Sequence, residues 1–544
     1  MEFFHFLRRE SKSIDRNLML SGAFAGIVNT LVIFILTAAA AKAARHQSDV
    51  RELVMVLLCL SAFWVCKGYL MHRLTIVVEE IVFAVRLRLA EKIRRSDLAS
   101  IESIGRSPLY NVISTHANNL SRAATGIISA ATSMVLLCCA FLVIYTLSSM
   151  AFLIIVLTLG AIIMAFMMNQ QRIVEGLKQV SVEDNKFVKV FGDLLDGFKE
   201  LKMNSRMSKQ FFHQELEPFA GSAQQARVNT GTIVNQSVLL ATSALFILLA
   251  VVIFLMPVFA PGEVVNLVRI STLIIFIFGP LGEVISVYPM MNEATAAIHE
   301  IERIETALDS SAKGEVEPVE MDDPAPLSFE KLTCSHLTFA YRNENGESTF
   351  QLQPTDFELK KGELVFITGG NGSGKSTFLK VLAGLYLPAN GKIMLNDGEI
   401  GATNRRSYRN LFSAIFSDYH IFDRIFGQRE IAEERLKELL TLTELAHKTS
   451  ITNGEISTVN LSSGQRKRLA LVVALLEDKP ILLLDEWAAE QDPQFRRTFY
   501  REILPMLKQQ GRTILAVTHD DEYYGLADRV LKMEFGSFVP VHLG

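Results

Sequence analysis

Eight consecutive residues, Gly369-Gly370-Asn371-Gly372-Ser373-Gly374-Lys375-Ser376, fit the pattern G-x-x-x-x-G-K-S. A short apolar run, 364–368, precedes them, and an apolar segment opening with Thr377 follows. Strand, loop and helix in that order make a phosphate cradle. Glycines let backbone N–H groups wrap phosphate oxygens, and the helix N-terminus adds a favourable dipole. In such a loop Lys375 reaches the β- and γ-phosphates of ATP, and Ser376 holds Mg2+. A second apolar run, 481–484, ends in Asp485 and Glu486. Acids at the carboxyl end of a strand stand in the crevice where open α/β sheets bind ligands. Asp485 suits Mg2+ coordination, and Glu486 suits polarising an attacking water.

Three further signals are weaker when read alone. Ser462, in Leu461-Ser462-Ser463-Gly464-Gln465, fits an N-cap; the helix end behind it is either just capped or a seat for a γ-phosphate. Strand 513–517 runs into Thr518-His519, where His519 either contacts a γ-phosphate or is structural. Tyr341, in Phe339-Ala340-Tyr341, either stacks on adenine or fills a core.

These groups need a rigid α/β sheet to hold them, and residues 327–544 alternate strand-like and helix-like segments as such a domain requires. The polar, acidic, proline-bearing stretch 309–326 reads as a linker. Residues 1–308 are of another kind. Six segments, about 17–41, 53–76, 126–147, 151–168, 232–258 and 264–291, have the apolar length of spanning helices. Gly22 and Gly26 in the first suit close helix contacts. Basic residues crowd the N-terminal tail and the connections after the second and fourth spans, which places these and the α/β domain in the cytoplasm. Both long connections show helical periodicity, so they are expected to extend the spans outward, with turns near 114–122 and 201–208. Glu283, between Pro280 and Pro289, lines a polar path or makes an interhelical hydrogen bond. With 54 Lys+Arg against 58 Asp+Glu, the net charge of −4 excludes the basic footprint of a nucleic-acid binder.

Together these residues resemble the ATP-binding cassette: aromatic loop, Walker A, signature, Walker B and switch histidine in order. With six preceding spans, the chain is similar to an exporter-type half-transporter. Phe412–Asp418, Asp485–Pro493 and Thr518–Asp521 narrow the likeness to the bacterial cyclic-peptide exporter family, which includes pyoverdine-precursor and microcin J25 exporters. The likeness spans essentially the whole chain and is sharp after about residue 330.

The resemblance implies an ABC transport ATPase in a bacterial inner membrane, multi-pass, with its N-terminus and cassette cytoplasmic. It implies a homodimer with two composite ATP sites. Each would be closed in trans by the partner's signature, here Ser462, Ser463, Gly464 and Gln465, with Asp492 as the D-loop aspartate. ATP and Mg2+ are the implied cofactors, Glu486, His519 and Lys375 the catalytic residues, and a cyclic peptide or peptide siderophore precursor the cargo. A lipid or hydrophobic-drug flippase and an ATP-switched regulatory protein are the alternatives. Two positions depart from the broad pattern: Ser417 stands where the Q-loop usually has Gln, and the signature reads LSSGQ rather than LSGGQ. Ser417 joins Ser376 and Asp485 as a metal candidate.

Overall fold

The computed structural model describes residues 16–43, 50–259, 261, 266–311, 327–342, 348–427 and 432–540. The chain divides into two compact units, Met1–Leu89 with Tyr110–Glu302, and Ala90–Leu109 with Arg303–Gly544. Its helical part runs α1 (Arg16–Ala43), α2 (Val50–Arg95), α3 (Leu98–Ile104), α4 (Arg106–Leu147), α5 (Ser149–Asp196), α6 (Phe198–Met203), α7 (Ser205–Phe259) and α8 (Leu267–Ser311). Among the described residues α1, α2, α4, α7 and α8 are long and apolar enough to cross a membrane. The expected span at 151–168 lies in α5, whose described apolar stretch is Ser149–Ala161.

At 46, 48 and 55 residues, α2, α5 and α7 are more than twice the roughly 20 residues a bilayer needs, so each continues well beyond its apolar part. The first connection turns earlier than the sequence suggested. Asp97 accepts the Ser100 N–H at 2.7 Å and caps α3, and Gly105, at φ 81°, ends it. Helix α4 then runs on through 114–122, where the turn was expected. The second turn, at Gly197–Asn204, lies close to the expected place; Asn204 there accepts the Met207 N–H at 3.1 Å.

Within the first unit, Ile33, Ile144, Ile155, Val252 and Ile270 share one apolar core contributed by α1, α4, α5, α7 and α8. The approach of α1 to α4 depends on small residues. A Cβ on Gly26 would lie 3.1 Å from the Thr132 carbonyl oxygen, and one on Gly22 3.1 Å from Thr132 Cγ2. Glu283 accepts the Ser133 hydroxyl at 2.5 Å, which is the interhelical alternative.

The second unit is an α/β domain. Its six-stranded sheet has the order β12-β11-β3-β10-β9-β6: β3 is Leu364–Thr368, β6 Phe412–Ile415, β9 Ile481–Asp485, β10 Thr513–Val517, β11 Arg529–Glu534 and β12 Ser537–Val539. Strands β11, β3, β10, β9 and β6 are parallel, and β12 is antiparallel at the edge. A second, antiparallel sheet joins β1 (Lys331–Arg342), β2 (Ser348–Lys360), β4 (Asn390–Leu395) and β5 (Gly398–Glu399), and β7 (Ile451–Thr452) pairs with β8 (Glu455–Ile456). Parallel strands buried on both faces read as unbroken apolar runs, which is why 364–368 and 481–484 stand out in the sequence. Helices α9 (Lys375–Leu382) and α10 (Ser463–Leu476) cover the main sheet, burying Phe378, Leu379, Leu469 and Val472.

Residues 90–109 belong with this unit, although a boundary at 308 had assigned them to the membrane part. Leu98 and Ala99 pack against the Phe339–Phe378 core, and Lys92 pairs with Asp309 at 2.7 Å and Glu305 at 3.4 Å. Helix α8 also carries the helical part to Ser311, inside the expected linker; 312–326 lie outside the described residues.

Because Gly26 faces backbone on α4, which cannot rotate away, Gly26→Leu should cost about 1–3 kcal/mol of overpacking. Thermal unfolding in detergent should show a lowered Tm, while Gly279→Leu, with open space at its Cβ, leaves it unchanged.

Candidate functional site

The parallel register aligns the ends of four strands. Val517 pairs with Ile367 on one side and Asp485 on the other, and Ile415 pairs with Leu484. The segments that follow, 369–376, 518–519, 485–486 and 416–417, therefore leave the same carboxyl edge of the sheet. The chemistry-bearing residues picked from the sequence converge there.

Gly369 has φ 147°, and a Cβ on it would sit 2.2 Å from the Met533 carbonyl oxygen, so no other residue fits. Lys375 opens α9, is 4% exposed, and donates from Nζ to the carbonyls of Gly369 at 2.9 Å and Gly370 at 3.0 Å. Asn371 and Gly372 are exposed on the loop; Ser373 and Thr377 are buried.

Asp485 is 1% exposed, and neither of its carboxylate oxygens has a hydrogen-bond donor among the described residues. Burial pushes its pKa up, and the neighbouring Glu486 charge acts the same way; the Ser376 hydroxyl and the Ser417 backbone and hydroxyl, close by but short of well-formed hydrogen bonds, oppose them. Ser417 thus stands beside Asp485. A buried carboxylate without donors costs free energy unless a cation or proton compensates it. With two hydroxyls beside it, its donor set is all oxygen, the kind Mg2+ takes.

Glu486 follows directly, in the left-handed region at φ 50° and ψ 36°. A side-chain-bearing residue held there stores on the order of 1–3 kcal/mol. Its Oε1 lies 3.7 Å from Lys375 Nζ and 3.5 Å from His519 Nε2. One carboxylate, one ammonium and one imidazole therefore face each other beside the Asp485 pocket.

Tyr341 lies at the end of β1. Its hydroxyl donates to the Tyr386 hydroxyl at 3.0 Å, and Tyr386 stacks on Phe339 with centroids 4.7 Å apart. The Tyr386 hydroxyl in turn donates to Glu102 of α3 at 2.5 Å, and Lys380 lies 3.3 Å from Glu102 and 3.7 Å from Asp418. Burial first, then the Glu102 contact, pushes the Tyr386 pKa up, so this hydroxyl stays a donor.

The signature residues form a second group. Ser462 caps α10 in a capping box, accepting the Gln465 N–H at 3.4 Å while Gln465 Oε1 accepts the Ser462 N–H at 3.2 Å. Ser463 and Gly464 lie in its first turn, and the Gln491 side chain donates to the Gly464 carbonyl at 3.2 Å. Asp492 accepts the Phe495 N–H at 2.9 Å and pairs with Arg468; the first contact and then the second hold its carboxyl below the usual range.

Sequence reading missed Tyr386, Glu102, Lys467 and Arg468. The last two had a legible signal: they are charged residues in a helix whose other faces are apolar, and burial of both forces them to find partners. Arg468 meets Glu444, Gln491 and Asp492, and its guanidinium lies 3.6 Å from the Phe495 ring centre. Lys467 holds Glu490, whose carboxyl it keeps below the usual range, and also the Glu486 carbonyl.

The family model described as "ABC transporter" matches residues 352–489. The chain is 36% identical over 354 residues to the ATP-binding protein SyrD of Pseudomonas syringae pv. syringae. That alignment covers 64% of this chain and 62% of the relative, so the chain spans less than two thirds of it. It is 35% identical over 199 residues to the thiamine import ATP-binding protein ThiQ of Haemophilus influenzae, covering 35% of this chain and 91% of ThiQ. It is 25% identical over 494 residues to the ATP-dependent lipid A-core flippase of Ralstonia nicotianae, covering 86% and 80%. Among solved structures, a bacterial Atm1-family ABC exporter with ATP bound superposes with a TM-score of 0.74 at 15% identity, over 97% of this chain and 95% of that one. The fold is that of an ABC exporter.

A side chain at position 369 has no room and no permitted backbone. Gly369→Ala should abolish retention on an ATP-affinity resin and lower the unfolding temperature; retention equal to wild type would show that the loop tolerates a Cβ.

Proposed function

Since the chain belongs to the ABC transporter family, we propose that it is a half-transporter that hydrolyses ATP to export a cargo, working as a homodimer in a bacterial inner membrane. The observation that carries this reading is the Asp485 carboxylate: buried, with no well-formed hydrogen bond among the described residues, beside Ser376 and Ser417, and one residue from a Glu486 that faces Lys375 and His519. Phosphoryl transfer asks a protein mainly for positioning and charge stabilisation, and these residues offer both.

Tyr341 stacks on the adenine. Backbone N–H groups of 369–376 hold the phosphates, and Lys375 leaves the Gly369 and Gly370 carbonyls to reach the β- and γ-phosphates. Glu486 orients the attacking water, and His519 contacts the γ-phosphate from the next strand end. Ser376 and Asp485 would hold Mg2+ with Ser417 beside them; when bound, the ion neutralises phosphate charge. Ser462, Ser463, Gly464 and Gln465, at the capped end of α10, close the site of a second copy, with Asp492 at the shared boundary.

For the cargo, the cyclic-peptide exporter resemblance in 412–418, 485–493 and 518–521 supports a cyclic peptide or peptide siderophore precursor. A lipid or hydrophobic-drug flippase is the second reading. It is favoured by the relationship to the lipid A-core flippase and by a cavity of about 460 Å³ in the helical unit, lined by Ile155, Leu159, Val238, Leu245, Ile274 and Phe278.

Two results should follow. Glu486→Gln, assayed in lipid nanodiscs, should lower kcat at least about 100-fold while ATP binding stays within twofold; a wild-type rate would remove Glu486 from the chemistry. Tyr341→Ala should lose base stacking worth about 1–3 kcal/mol, raising the ATP Kd roughly 5- to 150-fold, while Tyr341→Phe stays near wild type. Equal Kd values in all three proteins would place the adenine elsewhere. In the same nanodiscs, ATPase stimulation by cyclic peptides but not lipids supports the peptide reading, and the reverse supports the flippase.

A further inference from the structure

Glu486 presents its carboxylate to Lys375 and His519 from a backbone at φ 50° and ψ 36°, a conformation that residues with a Cβ disfavour. Surrounding contacts must hold it there. The neighbouring strand supplies one: the Glu486 N–H donates to the Val517 carbonyl at 3.2 Å. The Glu486 carbonyl accepts the Ala489 N–H at 3.4 Å from within the turn, and further contacts come from a single residue 19 positions earlier, on α10. Lys467 Nζ donates to the Glu486 carbonyl at 3.0 Å and pairs with Glu490 Oε1 at 3.1 Å. From the other side, the Lys467 carbonyl accepts the Trp487 indole N–H at 2.8 Å. Both ends of the short turn Trp487–Glu490, and the peptide entering it, are thus bound to one lysine.

The chemistry of that lysine is unusual for a packing role. Its side chain is 4% exposed, and an aliphatic residue would fill the space without desolvating an ammonium. The charge is kept where it meets a carbonyl whose orientation fixes the direction of the next side chain.

We propose that Lys467 is a positioning residue for Glu486: by holding the Glu486 carbonyl, its ammonium fixes the peptide that aims the carboxylate at the attacking water. The inference rests on the transport-ATPase reading above. Lys467 acts through the Glu486 peptide rather than on the reacting groups. It lies three residues past Gly464 on the helix that Ser462 caps, so a displacement of that helix end is passed to Glu486 through the same ammonium.

The test uses the full chain in lipid nanodiscs: wild type, Lys467→Met, Lys467→Arg and Glu490→Gln, with steady-state hydrolysis against ATP concentration, equilibrium binding of a fluorescent ATP analogue, and thermal unfolding. Lys467→Met keeps the apolar stem and removes the charge. Its kcat should fall at least about tenfold, with KM, ATP-analogue affinity and Tm close to wild type. Lys467→Arg restores a donor and should recover kcat to within about threefold. Glu490→Gln leaves the carbonyl bond in place and should lose less than about threefold. A wild-type kcat in Lys467→Met overturns the proposal. So do matched losses of kcat, binding and Tm in both the Met and Arg variants, which make Lys467 part of the fold alone. A wild-type enzyme no faster than Glu486→Gln overturns the transport-ATPase reading itself, before any Lys467 variant is compared.

Discussion

Burial of the Asp485 carboxylate at the carboxyl edge of a parallel sheet is the constraint on which the rest of the cassette depends. A carboxylate this enclosed, with no well-formed hydrogen bond on either oxygen among the described residues, is expensive to desolvate, and burial pushes its pKa up accordingly. The fold tolerates it only because everything nearby is arranged for a positive partner. The Walker A lysine stands close to the next carboxylate, two serine hydroxyls flank Asp485, and α9 directs its N-terminus toward the same edge. Parallel strands make this possible: they end together, so four loops distant in sequence open on one crevice.

Around this core the second unit is built as a series of linked contacts. The aromatic end of β1 is joined by hydroxyl hydrogen bonds, through Tyr386, to Glu102 on α3, and Lys380 of the Walker A helix lies between Glu102 and Asp418. The signature helix is joined to the 486–492 segment through Lys467, Arg468 and Gln491. Helix α9, Asp418 and the α3 turn are thus neighbours through one lysine. Ser417 is followed directly by Asp418, which faces Lys380 at 3.7 Å.

The sequence showed much of this, for a physical reason. Strands β3, β9 and β10 are buried on both faces, so their apolar runs matched the observed elements closely, and the residues after them stand at one edge of the sheet. Ser462 was legible because capping is local chemistry. The first turn between the long helices was misplaced because periodicity runs on through Arg106–Leu147; the breaks are one N-cap, Asp97, and one glycine at positive φ, Gly105, both short signals inside a helical pattern. For the same reason the domain boundary was drawn too simply: 90–109 packs with the cassette through contacts far apart in the chain, such as Leu98 on the Phe339 core and Glu102 with Tyr386. Contacts of that kind leave no trace in local spacing. Glu283 was ambiguous because a carboxylate between two prolines fits either a cavity or a helix contact, and only the position of Ser133 separates them.

The most direct single measurement is ATP hydrolysis by the full chain in lipid nanodiscs as a function of Mg2+ concentration, wild type beside Asp485→Asn. Hydrolysis in the wild type should rise and saturate with Mg2+, and Asp485→Asn, nearly the same shape without the charge, should stay near background at every concentration. Equal rates in the two proteins, or a rate indifferent to Mg2+, would contradict the assignment of the buried carboxylate as the centre of the site.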